Sequence, residues 1–487
     1  MFFEDSKARQ DHGRKSLRGG LVSVFARAVN ALVQVGSVVF LARLLTPEDY
    51  GIVTMVTSIT GFAPILVDLG TRDAVAQRDK ITPGEVSALF WISIAVGSSF
   101  ALLVALSGPL ISKFYGEPRL TMIALVSSLT VIASALTCQH QGLLRRAMMF
   151  RKVAMVEVGA NVLGAGTAIT MAFSGLGYWA LVVRPLVTGL FTAVGVWCYC
   201  RWLPPRPTLT AGVKEMLRFG VNLTGFSIAD FVGRCADSVA IGRVAGPQRL
   251  GYYRKALLVY ENLLDLTISL HGVAAVSLSK LRDNVGELRR LWAKGLSTLS
   301  FYAMPAFGGV AVTSQDLIHL VLGERWHNAG VLLSVLALRG IPHVVERTLG
   351  WLHVAAGRSD RWMRWGLLEA GLQLIALFCG LPFGAMGVAT AYVITMFVIF
   401  VPSIAFAGQP LGIGARDVLR VIWPPLIGTL VAVGVGFLLQ FTVLAEMQRL
   451  PRLIVVGLAF VVVYAALVPG IFKLRTPLTV VLALRKR

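Results

Sequence analysis

About fourteen apolar stretches, each roughly 18 residues or longer, follow one another along this 487-residue chain with very little between them. A run of that length crosses a bilayer core of about 30 Å as a helix. Lipid offers the backbone no hydrogen-bond partners, so a spanning segment has to satisfy its own amides, and a helix does so within one segment. The stretches fall near 21–42, 49–69, 88–112, 120–138, 153–173, 178–200, 219–241, 252–277, 295–321, 328–352, 366–383, 386–407, 419–441 and 453–472. The links leave no room for a folded soluble domain. Only 15% of residues are charged, against about 25% in a soluble domain.

The net charge of +21 could indicate a nucleic-acid partner, but its distribution argues otherwise. With a cytoplasmic N-terminus, most of the 46 lysines and arginines fall in the two tails and the cytoplasmic loops. Loops flanking spans orient a membrane protein by this asymmetry, so the charge is a topology signal and no nucleic acid is expected. Lys7, Arg9, Arg14, Lys15 and Arg18 precede an apolar run too long for a signal peptide, which predicts an uncleaved first helix. An even number of spans returns Arg485-Lys486-Arg487 to the same side. Cys138, Cys198, Cys200, Cys235 and Cys379 lie in or beside apolar spans, where small apolar packing is the expected role. No metal site, cofactor or catalytic constellation is expected, and neither is an enzyme.

The chain repeats itself at an offset of about 200 residues. Arg43, Pro47 and Gly51 match Arg243, Pro247 and Gly251. Arg78-Asp79 with Gly84-Glu85 matches Arg282-Asp283 with Gly286-Glu287, and Gly116-Glu117 matches Gly323-Glu324. Gly177-x-Trp179-Ala180 resembles Gly387-Val388-Ala389. The unit is six helices, an even number, so both copies enter the membrane from the same side as parallel repeats. The expected fold is an all-α polytopic membrane protein of about 14 transmembrane helices. Its expected parts are a basic N-tail (1–20), a first six-helix lobe (21–205), a second (206–415), an additional helix pair (416–474) and a basic C-tail (475–487). Two such lobes form a two-lobed bundle able to alternate access.

Several of these residues carry a family resemblance. Leu41-Ala42-Arg43-Leu44-Leu45-Thr46-Pro47-Glu48-Asp49-Tyr50-Gly51 resembles the polysaccharide-transporter family, the Wzx-type flippases. Asp68-Leu69-Gly70, Phe114-Tyr115-Gly116-Glu117-Pro118, Ile241-Gly242-Arg243 and Leu322-Gly323-Glu324-Arg325-Trp326 support it. The resemblance covers about residues 18 to 410 and implies membership of the superfamily that also holds multidrug antiporters and the lipid II flippase. It implies a flippase that moves polyprenyl-pyrophosphate-linked oligosaccharide units across the bacterial inner membrane for lipopolysaccharide O-antigen, capsule or exopolysaccharide assembly. It also implies an ion gradient as the energy source, and the chain has no G-x-x-x-x-G-K-[ST]. Membrane lipids and a polysaccharide polymerase with other assembly proteins are the partners implied. An ion-coupled multidrug antiporter of the same superfamily is the alternative; a membrane polysaccharide polymerase fits less well, because no long outside loop is expected.

Ionisable residues inside a bilayer are expensive and usually face a wet cavity or a partner. Asp230, Arg234 and Asp237 share one helical face in the seventh span, as a closed structural network or as an exchangeable charge site. Arg27 lies in the cytoplasmic half of the first span, where it either meets a lipid pyrophosphate or snorkels to headgroups. Arg339 and Arg347 of the tenth span either add positive charge to the cavity wall or pair structurally. Arg27, Arg234, Arg339 and Arg347 are therefore the candidate substrate-binding residues. Asp230, Asp237, Glu157 and Glu369 are the candidates for ion coupling or a charge network. Arg151 or Lys152 would partner Glu157 if it is structural.

Overall fold

The computed structural model describes residues 12–78, 80–208, 211–279, 281 and 284–474. Lys7, Arg9, Asp79, Arg282, Asp283, the Arg485-Lys486-Arg487 end and the side chain of Asp230 lie outside the described residues. Every regular element among the described residues is helical, and the chain divides into two compact units, 1–251 and 252–487.

Unit 1 contains α1 (His12–Leu44), α2 (Pro47–Thr60), α3 (Ala63–Asp68), α4 (Thr71–Gln77), α5 (Pro83–Tyr115), α6 (Leu120–Arg146), α7 (Phe150–Phe173), α8 (Trp179–Cys200) and the first part of α9 (Ala211–Ser279). Here α5 packs on α6, α6 on α8, α8 on α7 and α7 on α1. Unit 2 contains the rest of α9, then α10 (Val285–Leu322), α11 (His327–Ala355), α12 (Ser359–Gly380), α13 (Gly384–Gly408), α14 (Ala415–Phe441) and α15 (Arg449–Ala465). In it α10 packs on α11 and α14, and α13 packs on α11 and α12. The α14–α15 pair is fixed to α10 by a buried ion pair, Arg452 Nε to Asp316 Oδ2 at 2.7 Å, and by the Tyr464 hydroxyl donating to the Phe301 carbonyl at 2.8 Å.

Eleven helical segments among the described residues are long and apolar enough to cross a membrane, where about fourteen were expected. One of the eleven, 360–411, runs two helices together. The seventh and eighth expected spans fall in the stretch 211–279, part of whose side chains lie outside the described residues. Large apolar side chains such as Phe25, Leu32, Leu102, Leu106, Phe378, Val398 and Val462 stand on the outer faces. Water would disfavour so much exposed apolar surface, and this is a multi-pass membrane protein.

The repeated residues do repeated jobs at helix ends. A helix leaves its first amides unsatisfied, and a side-chain oxygen just ahead of it can accept from them. Thr82 accepts from Glu85 N (3.2 Å) while Glu85 accepts from Thr82 N (2.9 Å), so the N-terminus of α5 is capped reciprocally. At the equivalent end of α10, Asn284 accepts from Glu287 N at 3.2 Å. Gly116 and Gly323 each terminate the long helix that follows these caps, at φ +73° and +102°, a region that strongly favours glycine. The match at Gly177 shifts: its positive-φ counterpart is Gly384, not Gly387.

Pro47 opens α2, behind a Thr46–Asp49 capping box, and Pro247 restarts α9 after Gly246 breaks it at φ +82°. Proline suits a first helical turn because its missing N–H would be unbonded there. The two proline turns meet within unit 1. A Cβ on Gly51 would collide with the Pro247 backbone, and one on Gly251 with the Pro47 backbone. The matching glycines therefore sit in a reciprocal close crossing that admits no side chain.

Candidate functional site

Intramembrane charges gather in two places, one in each unit. In unit 1 a cavity of about 290 Å³ lies among α1, α6 and α7, lined by Arg27, Asn30, Arg145, Phe150, Val153 and Glu157 among others. Arg27 is exposed. Asn161 of α7 donates to Asn30 Oδ1 at 3.1 Å, tying α7 to α1 beside the cavity. Glu157 faces Arg145 Nη2 at 3.8 Å, and Arg145 Nη1 is 4.0 Å from Asp73. The expected structural partner of Glu157 is thereby corrected. Residues 151 and 152 lie within the first two turns of the same helix, while the end of α6 brings Arg145 across; the Lys152 ammonium lies over the Tyr199 ring at 5.5 Å. Two guanidiniums and one carboxylate, partly exposed and flanked by an amide, can exchange their mutual contacts for an anionic group.

The second gathering lies in unit 2 and is part-buried. Arg339 Nη2 donates to Gln373 Oε1 at 3.0 Å, and Gln373 Nε2 donates to Glu369 Oε1 at 3.1 Å. The Arg339 guanidinium lies 5.1 Å from the Tyr392 ring centre and 6.0 Å from that of Tyr260. Tyr260 Oη and His343 Nδ1 are 2.7 Å apart. Glu346 lies beside Glu369, Arg339 and Arg347. Both carboxylate oxygens of Glu346, and the Nε atoms of Arg339 and Arg347, are buried without a hydrogen-bond partner.

The structure thus brings Arg27 together with Glu157, and Arg339 and Arg347 together with Glu369. It puts Arg234 and Asp237 elsewhere in unit 1. Arg234 is exposed; Asp237 is buried and accepts from Ser238 N at 2.5 Å and Ser238 Oγ at 3.1 Å. A further buried network joins α3, α4, α5 and α6. Cys138 Sγ lies 3.3 Å from Asp68 Oδ1, Gln139 Nε2 donates to Thr71 Oγ1 at 2.7 Å, and Ser93 is 3.4 Å from the same amide. Cys138 is therefore hydrogen-bonded rather than simply an apolar filler. The break at Leu69 and Gly70, φ +46° and +64°, turns Asp68 into that network.

Sequence reasoning missed Asn30, Arg145, Tyr260, His343, Gln373 and Tyr392 as members of these clusters. One of them was signalled: Gln373 stands four residues after Glu369 in an apolar span, the spacing that puts two side chains on one face. Arg145 read as loop charge because α6 extends beyond its apolar core.

A family model described as polysaccharide biosynthesis protein matches residues 40–330. Curated relatives include the lipopolysaccharide biosynthesis protein WzxC of Escherichia coli, 26% identical over 84% of this chain and 85% of that one. The teichuronic acid biosynthesis protein TuaB of Bacillus subtilis is 26% identical over 71% and 73%. The succinoglycan biosynthesis transport protein ExoT of Rhizobium meliloti is 25% identical over 69% and 68%. Among solved structures, a lipid II flippase MurJ in an inward closed conformation superposes with a TM-score of 0.70 at 14% identity, covering 94% of this chain and 99% of that one. An inward-facing multidrug resistance MATE family transporter of the MOP superfamily gives 0.60 at 12%, covering 80% and 98%. At these identities the likeness is one of fold.

Proposed function

This chain belongs to the polysaccharide biosynthesis protein family, and we propose from that premise that it is a flippase for polyprenyl-pyrophosphate-linked oligosaccharide units, working by alternating access. The observation that carries the reading is the cavity lined by Arg27, Arg145 and Glu157, set in a unit whose outer helix faces are apolar. Arginine presents a planar fork that matches phosphate oxygens two at a time. A pyrophosphate arriving at the cavity takes Arg27 and Arg145, displacing the weak contact of Arg145 to Glu157. The glycan needs polar surroundings, because each hydroxyl stripped of water without a replacement bond costs a few kcal/mol. The prenyl chain stays in lipid. Relatives described as a succinoglycan biosynthesis transport protein and a probable low-salt glycan biosynthesis flippase support the substrate class.

In this reading the protein sits in a bacterial inner membrane with both termini cytoplasmic, the orientation its basic loops favour. The division into lobes at 21–205 and 206–415 with an added pair at 416–474 is part of the same proposal. A polymerase that consumes the delivered units is the partner it implies. Arg234 and Asp237, with Asp230, remain in this proposal as a candidate charge network on α9.

The test is a leaflet-resolved analysis of single repeat units on their lipid carrier after depletion of the protein. Translocation predicts accumulated units shielded from a periplasmic glycan-modifying probe. Units that accumulate within reach of the probe would instead identify a polymerase, and an absence of accumulation would point to drug export.

A further inference from the structure

Two polar pairs face each other across the packed helices α1 and α7. Arg27 and Asn30 stand three residues apart on α1, and Glu157 and Asn161 four apart on α7. Those spacings put each pair on one face of its helix. Arg27, Asn30 and Glu157 line the 290 Å³ cavity together with Arg145 of α6. Pyrophosphate docking on Arg27 and Arg145 leaves the two asparagines without a role. A carboxamide has a donor end and an acceptor end, and the end it shows to a cavity decides what it can bind there. Asn161 Nδ2 donates to Asn30 Oδ1 at 3.1 Å. That bond occupies the acceptor end of Asn30. The Nδ2 group of Asn30 keeps two N–H donors, and nothing among the described residues accepts from them.

We propose that Asn161 is a positioning residue that fixes the Asn30 amide with its N–H end toward the cavity, and that Asn30 is the third donor to the lipid-linked pyrophosphate, beside Arg27 and Arg145. An ionised pyrophosphate diester offers acceptor oxygens and no donor. Its oxygens outnumber what one fork of one arginine can serve, and an added N–H to a charged oxygen is a charge-assisted bond. With the amide reversed, a carbonyl would meet the phosphate oxygens, acceptor against acceptor. The same cavity would then favour ligands that carry their own N–H groups, as cationic drugs do. The hydrogen bond between two helices thereby sets the class of headgroup that the site takes. This inference rests on the flippase reading and deepens it.

The experiment titrates geranyl pyrophosphate into the purified full-length protein in detergent and follows binding by calorimetry. Asn30→Ala is expected to raise Kd about tenfold, the scale for losing one hydrogen bond to a charged group. Asn161→Asp is expected to do the same by a different route. An ionised carboxylate cannot donate, so the bond between the pair survives only if Asn30 turns its N–H end away from the cavity. The double variant separates that rotation from the added charge: in an Asn30→Ala background, Asn161→Asp should lose most of its effect. Wild-type affinity in either single variant overturns the proposal, and so does an Asn161→Asp effect that is undiminished without Asn30. Should Asn161→Asp not fold, Asn161→Leu decides. It frees the amide to take two orientations, and halving the competent population raises Kd about twofold; no change overturns the proposal. Arg27→Ala distinguishes the two claims. If it weakens binding while the asparagine variants do not, the positioning role falls and the docking cavity stands. If wild type and Arg27→Ala bind alike, or neither binds, the docking cavity falls and this inference with it.

Discussion

The cavity of unit 1 and the cluster of unit 2 are built from the same side chains, arginine, glutamate and a carboxamide, and differ in how far the charged atoms are exposed. Arg145 and Glu157 retain 37% and 38% of their side-chain exposure and stand 3.8 Å apart. An ion pair so exposed is worth about 0–1 kcal/mol, so exchanging Glu157 for an incoming anion costs little. Arg339 is walled by Tyr260 and Tyr392 and bonded to Gln373. Breaking that arrangement leaves buried charge uncompensated. The first geometry suits a ligand that arrives and leaves; the second suits a fixed network.

The comparison breaks if the two arginines respond alike to removal. Arg339→Ala is expected to lower stability by about 3 kcal/mol, the scale for deleting one partner of a buried charge network, read as a fall in the thermal midpoint in detergent. Arg27→Ala, at an exposed position, should shift stability by no more than about 0.5 kcal/mol. Its effect belongs in transport. Losing one charge-assisted contact of about 1.5–3 kcal/mol predicts translocation reduced about tenfold or more at normal protein level, with Arg145→Ala behaving similarly. Equal destabilisation by both, or unimpaired transport in the Arg27 and Arg145 variants, would erase the distinction between binding cavity and fixed network.

Much of the architecture was legible because apolar length and the helix-end residues are local signals. Pro47 and Pro247, Glu85 and Glu287, and Gly116 and Gly323 act within one turn of their own position, so their repetition in sequence became repetition in structure. The sites were legible only as residue types. Arg27, Glu157, Arg339, Arg347 and Glu369 stand out as charges in apolar runs, but their exposure depends on neighbours far along the chain. Glu157 meets Arg145 because α6 and α7 turn back on each other at 146–150. Arg339 meets Gln373 because α12 packs near α11 at a register that no short motif encodes. Cys138 likewise looked apolar until the break at Leu69–Gly70 brought Asp68 against it.

The ion pairs of Arg119, beside the link between α5 and α6, calibrate both sites, and their expected effect is the smallest. Arg119 donates to Glu117 Oε1 through Nε at 2.7 Å and to Glu48 through Nη2 at 2.6 Å. The hydrogen bonds from Arg119 hold the Glu117 carboxyl below its ordinary value of 4.5. A carboxyl lowered by folding contributes stability that is present above its unfolded value and is lost as pH falls through the folded one. The stability gap between wild type and Glu117→Gln should therefore be open at pH 7 and narrow below pH 4.5, with added salt shrinking it at neutral pH because the group is reachable by counterions. The Arg339 variant should lose stability to a similar extent with and without added salt over the same range, since the buried rings of Tyr260 and Tyr392 lie against its guanidinium. A Glu117 gap that ignores both acid and salt would mean that this link is as buried as the cluster in unit 2, and exposure would no longer distinguish how the protein uses its charges.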